Sequence, residues 1–478
     1  MLYYTGDEKG FDRMGKWRQA MKSRDFMCAA WVGLCFALTS AVYLSWLHRL
    51  VTLAGSAGAD WLSMVAGYLM QAAGMGLVSL WLHRRPDADL RRGFTLAAAL
   101  FAAVCAPALL ADTLLGVIAF GLLMNLLCGL IAGFYLLGIG LSADAGHRGR
   151  VFGGGYALAT VAVGLLSLAG GDLLHSAWAL LIYIPLALLL IWLTGRRGLL
   201  QRPEEATAPA EPAREAPLGL ALLAVVLLSA VKDLGFVFPS ADIAAGLIPE
   251  LSRLPYALGL AAAGFINDKN RQQGMLCTMA ALIIPFIMLG LTSEPVPATI
   301  CWGLDYLFYG FFSVFRAALF LDIASRARRL ELAPLGLLAG RVGDACGTAV
   351  SLLLGGSKLW LIGVTAALFF PTAYLCLRLY RRLYEPQAAV QQRSEQEVFE
   401  AFCLHNDLSS REKEVLRMVI DNRSNGEIAE ALFITQSTVK YHVRNVLGKV
   451  GCKNRSELQR KYTLALYPHL ENAQPEKE

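Results

Sequence analysis

The chain has 478 residues, of which 56% are hydrophobic and only 17% charged, with a formal net charge of +6. Soluble domains carry about 25% charged residues, so a wholly soluble globular protein is excluded and membrane-embedded segments are expected. The ten cysteines form no C-x-x-C pair and eight lie in or beside apolar runs, where cysteine acts as a small hydrophobe; neither a disulfide framework nor a metal site is expected.

The basic stretch 1–26 comes first, and no small-residue cleavage site follows the first apolar run, which therefore reads as a span and not as a secretory signal. A membrane helix needs about 20 mostly apolar residues. Twelve runs meet that criterion, at about 27–47, 61–82, 94–111, 114–141, 151–169, 176–194, 218–238, 243–265, 274–291, 297–321, 334–356 and 358–377. They group as a first half, 27–194, a polar linker, 195–217, and a second half, 218–377. The linker contains Pro203, Glu204, Glu205, Pro209, Glu211 and Pro212, a composition that resists folding. Counting Lys and Arg between spans gives 24 on the side of the N-terminus and two, Arg49 and Lys358, on the other. By the positive-inside rule both termini are expected in the cytoplasm of a bacterial cell, with the chain in the inner membrane.

Charged residues inside spans are costly and mark functional candidates. Here they fall in the second half. Counting 1.5 Å per residue, Lys232, Asp233, Glu250 and Asp305 lie in the outer part of their spans with Arg253 near the middle, and this group is read as a small-molecule pocket. Arg316, Arg341 and Asp344 lie towards the inner face and are read as a state-dependent latch; the bland alternative for both groups is paired charges that close a helix bundle. Phe236, Phe238, Tyr256, Tyr306 and Tyr309 are nearby and either wall a pocket or pack. The glycines of 153–155, and Gly129 with Gly133, lack the Lys-Ser/Thr of a phosphate loop and are read as close helix packing. No nucleophile elbow, metal cluster or nucleotide loop appears, so no enzyme and no cofactor are expected.

Six spans, a linker and six spans resemble the major facilitator superfamily. So does Gly264-Phe-Ile-Asn-Asp268-Lys269, which is similar to that family's Gly-x-x-x-Asp-Arg/Lys loop; the corresponding loop after the second span, His83–Arg92, lacks the glycine. The resemblance implies a twelve-helix bundle.

After the juxtamembrane segment 378–407, where 385–404 reads as a linker or short helix, the pattern becomes compact and amphipathic over 408–465, ahead of a tail at 466–478. Ser409-Ser-Arg-Glu412 and Ser424-Asn-Gly-Glu427 are capping boxes, Asn454-Arg-Ser-Glu457 is a similar start, and Thr435 caps a helix between the last two. Helices are expected at about 409–421, 425–432, 436–450 and 455–464, around Val415, Leu416, Val419, Ile428, Leu432, Val439, Val443, Val446, Leu447 and Leu458. The short turn Phe433-Ile-Thr435 makes the second and third a helix-turn-helix. From Thr435 to Tyr462 there are seven basic residues and one acidic residue, a concentration suited to phosphates.

Leu408-Ser-Ser-Arg-Glu412, Ser424-Asn425-Gly-Glu427-Ile428-Ala429, Thr438-Val439-Lys440-Tyr-His442 and Asn454-Arg455-Ser-Glu together resemble the LuxR/NarL helix-turn-helix. The resemblance implies that the third helix enters the major groove of double-stranded DNA. It places Lys440, Tyr441 and Arg444 at base edges, Gln436 and Thr438 at phosphates, and His442 and Lys449 near the backbone or in structural roles. It also implies paired half-sites and a homodimer on DNA. The fold class is therefore all-α, a twelve-helix membrane bundle followed by a four-helix DNA-binding domain. The function expected is a membrane-embedded one-component regulator that senses an unknown small molecule. The alternative is a transporter with a fused autoregulatory DNA-binding domain.

Overall fold

The computed structural model of the chain describes residues 8–170, 173–174, 176–202, 217–234, 254–284, 295–354, 357–384 and 387–466. Among the described residues every regular element is helical. The chain divides into two compact units, Met1–Tyr384 and Glu385–Glu478.

The first unit contains twelve described α-helices: α1 (Glu8–Asp60), α2 (Gly67–Arg84), α3 (Leu90–Leu110), α4 (Leu114–Ser142), α5 (Arg148–Gly170), α6 (Leu180–Arg197), α7 (Leu218–Asp233), α8 (Leu254–Lys269), α9 (Arg271–Ala281), α10 (Pro295–Ala327), α11 (Leu335–Leu353) and α12 (Lys358–Tyr384). Each apolar run of the sequence overlaps one of them. Eight stretches among the described residues are long and apolar enough to cross a membrane. Helices α7, α8 and α9 have only 16, 16 and 11 residues, and α11 carries Arg341 and Asp344. The fold is that of a membrane protein, and the Leu-rich outer surface fits it: Leu96, Leu115, Leu181 and Leu188 are exposed.

Local chemistry explains the breaks. Asp89 caps α3 by accepting from the amides of Arg91 and Arg92. The link between α3 and α4 is only Ala111–Thr113, yet it suffices, because the Thr113 side chain accepts from the Gly116 amide and starts α4. Arg49 donates from Nε to the Ala111 carbonyl at 3.0 Å and buttresses the same link. Within α1 the chain kinks at Gly55, which takes φ 72°, a value open to glycine, and a six-residue π-helix, Trp61–Ala66, leads from α1 into α2.

Glycine sets the helix spacing. A Cβ on Gly129 of α4 would overlap the Gln71 carbonyl of α2, and one on Gly74 would overlap the Leu126 carbonyl. In the triple glycine, Gly155 faces α1, where an added Cβ would stand 2.6 Å from the Ala29 oxygen; Gly153 faces the Leu260 carbonyl of α8; Gly154 meets open space. These runs are packing surfaces, with backbones close enough for dispersion contact along their length. Helix α5 against α8 and α2 against α11 join the two halves.

The second unit contains α13 (Gln387–His405), α14 (Ser410–Ile420), α15 (Asn425–Leu432), α16 (Gln436–Val450) and α17 (Arg455–Leu466). The capping boxes form as their sequences require. The Ser409 amide donates to Glu412 Oε2 at 2.8 Å and the Ser424 amide to Glu427 Oε2 at 2.7 Å, each box contributing about 1 kcal/mol. Val415, Leu416, Val419, Ile428, Val439, Val446 and Leu458 are buried, with Leu432, Val443 and Leu447 packed against them. Two contributors come from the preceding segment: Phe399 and Cys403 of α13 are buried in the same core, Cys403 completely. That segment is thus a fifth helix of the unit, held by its own apolar face.

Candidate functional site

The helix-turn-helix consists of α15 and α16. The turn depends on Phe433, which caps α15 in the left-handed region at φ 55°, and on Thr435, whose hydroxyl accepts from the Thr438 amide at 3.2 Å. With the turn fixed, Gln436, Lys440 and Arg444 fall at i, i+4 and i+8 on one exposed face of α16, with Tyr441 beside them, 61% exposed. Among the described residues none of Gln436, Lys440 and Arg444 has a side-chain hydrogen bond or ion pair, so their donors are free for an outside acceptor. Thr438 is half-buried, and its hydroxyl lies 2.8 Å from that of Thr435. Lys449 differs: its ammonium donates to Glu412 Oε2 at 2.7 Å and to the Asp407 carbonyl at 2.8 Å. Arg455, part of the basic run, donates to the Arg423 carbonyl and lies 3.5 Å from Asn425 Oδ1, tying α17 to the start of α15.

Two carboxyls in this unit are held below their ordinary value. Burial opposes ionisation of Glu412, but the Lys449 ammonium and the Ser409 amide outweigh it. Glu427 is lowered by its hydrogen bonds from Ser424.

In the membrane unit the charges converge. Lys232 Nζ lies 2.6 Å from Asp233 Oδ1 and 3.2 Å from Asp344 Oδ1. Arg316 NH1 lies 3.0 Å and Arg341 NH1 3.5 Å from Asp344 Oδ2. Three cations from α7, α10 and α11 thus gather on one carboxylate. The division into an outer pocket and an inner latch does not survive as two places: Lys232 and Asp233 join Arg316, Arg341 and Asp344 in one cluster. The residue count along single spans missed this because α7 packs along α11, bringing the last turn of α7 beside the middle of α11. Asp305 is also buried. Glu250, Arg253, Phe236 and Phe238 lie outside the described residues.

The cluster borders a cavity of about 170 Å³ between the two halves, lined by Asp233, Arg316 and Arg341 but not by Lys232 or Asp344. Tyr256, Tyr306 and Tyr309 of the second half line it, and so do Tyr43, Tyr68, Tyr135 and Tyr156 of the first. The Lys232 ammonium sits 3.7 Å over the ring of Tyr309 and the Arg341 guanidinium 4.2 Å over that of Tyr68. The first-half tyrosines escaped the sequence reading, which followed charge. A usable signal existed, since tyrosine favours the membrane interfaces and these four lie well within spans.

At the end of the bundle bearing the α4–α5 and α8–α9 links, a second network joins the halves. Asp268 Oδ1 accepts from the Gly149 amide at 2.8 Å and Oδ2 from the Arg150 amide at 2.7 Å. Arg271 donates to Asp268 at 3.0 Å and to Asp322 at 2.8 Å, and Arg148 lies 3.7 Å from Asp322. Asp268, in the last turn of α8, thus caps the start of α5, and Arg271 becomes the hub of the network.

Comparison with known proteins separates the two units. The family of bacterial regulatory proteins, luxR family, matches residues 406–462. The spore germination protein GerE of Bacillus subtilis (strain 168) is 40% identical over 50 residues, 10% of this chain and 68% of that protein. The transcriptional regulatory protein LiaR of the same organism is 38% identical over 65 residues, 14% of this chain and 28% of that protein. The chain thus spans about a quarter of the length of LiaR, and 23% of the B. subtilis regulator YhcZ. In fold, the membrane unit is similar to the human organic anion transporter MFSD10 (TETRAN), with TM-score 0.52 and 14% identity, over 74% of this chain and 98% of that one. That likeness is one of architecture alone. By its helix-turn-helix the chain belongs to the luxR family of bacterial regulatory proteins, its DNA-binding unit joined to a membrane bundle of the major-facilitator fold.

Proposed function

We propose that the chain is a one-component transcriptional regulator of the bacterial inner membrane, with both termini in the cytoplasm. A small molecule enters the cavity of the bundle, binds two of its states unequally, as any effective ligand must, and so biases how the second unit binds DNA as a homodimer on paired half-sites. The observation that carries this reading is the pairing, in one chain, of a buried charge cluster beside a cavity with a helix-turn-helix whose basic face is uncommitted.

Helix α13 supplies the means of transmission. Beyond its buried Phe399 and Cys403, Lys413 lies 3.0 Å from Glu400 and the Arg417 guanidinium 4.7 Å over the Phe399 ring. A displacement of α13 is therefore felt in α14. Gln436, Thr438, Lys440, Tyr441 and Arg444 form the DNA face, with Lys440 and Arg444 suited to guanine acceptors; Lys449 acts by holding α14 to α16.

The test is a reporter gene under the chain's own operator. The full chain is expected to give signal-dependent expression, and a chain lacking residues 1–384 signal-independent expression. Retention of signal dependence in the truncated chain rejects the sensor reading. The cavity between two halves of this fold also favours a second reading, a transporter with a fused autoregulatory domain. Uptake of the inducer into vesicles containing the full chain decides for that reading, and saturable binding without uptake decides for the sensor.

A further inference from the structure

The charge cluster is unbalanced. Among the described residues Lys232, Arg316 and Arg341 face only Asp233 and Asp344, one positive charge in excess. Unpaired charge within a membrane bundle is costly and calls for a counter-charge. The side chains of Lys232, Asp233, Arg316 and Asp344 are at most 3% exposed, whereas that of Arg341 is 23% exposed and lines the cavity. Asp233 and Arg316 line the cavity as well, but Arg341 is the most exposed of the three, so the charge most open to the cavity is a cation.

Arg341 is also the cation held most loosely to Asp344. Its contact to Asp344 is the longest, 3.5 Å through NH1 alone. Its other N–H groups make no hydrogen bond to described residues. A guanidinium is a planar fork that pairs with a carboxylate through two parallel hydrogen bonds. The guanidinium carbon lies 4.2 Å over the Tyr68 ring, which holds the fork at the cavity wall. The hydroxyls of Tyr68 and Tyr309, both on the cavity wall, likewise have no hydrogen-bond partner among the described residues, and are two further donors for an anion.

Size restricts the rest of the ligand. A cavity of about 150 Å³ in another protein holds one benzene, and this one measures about 170 Å³ between tyrosine walls. We propose that the cavity binds a small organic anion, a carboxylate on a body of about one aromatic ring, with its carboxylate on the guanidinium of Arg341. This deepens the sensor reading and rests on it for its regulatory meaning.

The experiment is thermal stabilisation and binding calorimetry on the full chain in detergent, with benzoate, benzamide, benzylamine and sodium chloride as probes. Benzoate is expected to stabilise the protein and to bind at least about tenfold more tightly than benzamide, with benzylamine silent. Arg341→Gln is expected to weaken benzoate binding by about ten- to a hundredfold while leaving benzamide unchanged. Arg341→Lys keeps the charge and is the control for folding; it is expected to lose several-fold while still preferring the anion. The proposal is overturned if benzoate does not bind, if benzamide or benzylamine binds as well, if chloride at equal concentration stabilises as much, or if neither variant changes the preference. Those outcomes leave the sensor reading standing. Conversely, signal-independent regulation by the full chain, together with an intact benzoate preference, rejects the sensor reading and retains the ligand class.

Discussion

The Lys449 ammonium, near the end of α16, binds the Glu412 carboxylate in the first turn of α14 at 2.7 Å, and Glu412 in turn accepts from the Ser409 amide at 2.8 Å. One carboxylate thus completes a capping box and an interhelical ion pair. Replacing Lys449 with Ala is expected to destabilise the second unit by about 1–2 kcal/mol. In a unit of this size that lowers the melting temperature by roughly 4–8 °C per kcal/mol. DNA affinity measured well below the transition should change by less than about twofold; a tenfold loss of affinity with unchanged melting would place Lys449 on the DNA instead.

Acid should act through the same carboxyl. Glu412 and Glu427 both sit below the ordinary 4.5 in the folded unit. As pH falls the unfolded chain takes up protons first, so their contribution is complete above about pH 5.5 and is lost as pH drops through 4.5 and then through the lower folded values. Glu412→Gln should flatten the acid limb of a urea-denaturation series. An acid limb as steep as that of the parent would show that Glu412 is not the group responsible.

On DNA, Arg444→Ala and Lys440→Ala have different signatures according to what they touch. A base-edge contact costs about 1–3 kcal/mol and relaxes specificity at one position, whereas a phosphate contact weakens all sequences alike and reduces the salt dependence by about one charge. Arg444 and Lys440 are expected to show the first pattern, Gln436→Ala a uniform loss. Binding titrations over an operator library at two salt concentrations distinguish these outcomes.

The glycines give a paired prediction in the membrane unit. Gly129→Ala drives a Cβ into the Gln71 carbonyl, while Gly154→Ala meets open space. The first should cost 1–3 kcal/mol or more, typical of overpacking at about this scale, and shift the detergent-extracted protein towards aggregate on size exclusion. The second should elute like the parent.

Helix order was readable from the apolar runs because a membrane imposes length directly on sequence. The second unit was readable almost to the residue: helices expected at 425–432 and 436–450 are found at Asn425–Leu432 and Gln436–Val450, since Ser424 and Thr435 are local signals that act within one turn. The cavity was readable only in part. Lys232 and Asp344 lie 112 positions apart, and nothing local says that α7 and α11 bring them within 3.2 Å. The first-half tyrosines carry no charge to betray them, and Phe399 and Cys403 were hidden in a segment whose polar residues dominate its composition.

The contact of α5 with α8 has a mechanical consequence. Gly149 and Gly264 face each other so closely that a Cβ on Gly264 would stand 2.7 Å from the Gly149 oxygen, and Gly153 faces the Leu260 carbonyl in the same way. Where side chains interdigitate, sliding one helix past another means lifting knobs out of holes. Here main chain lies against main chain, and there are few knobs to lift. The two halves therefore meet along a smooth bearing on which small shear is cheap, held at one end by the Asp268 cap on α5.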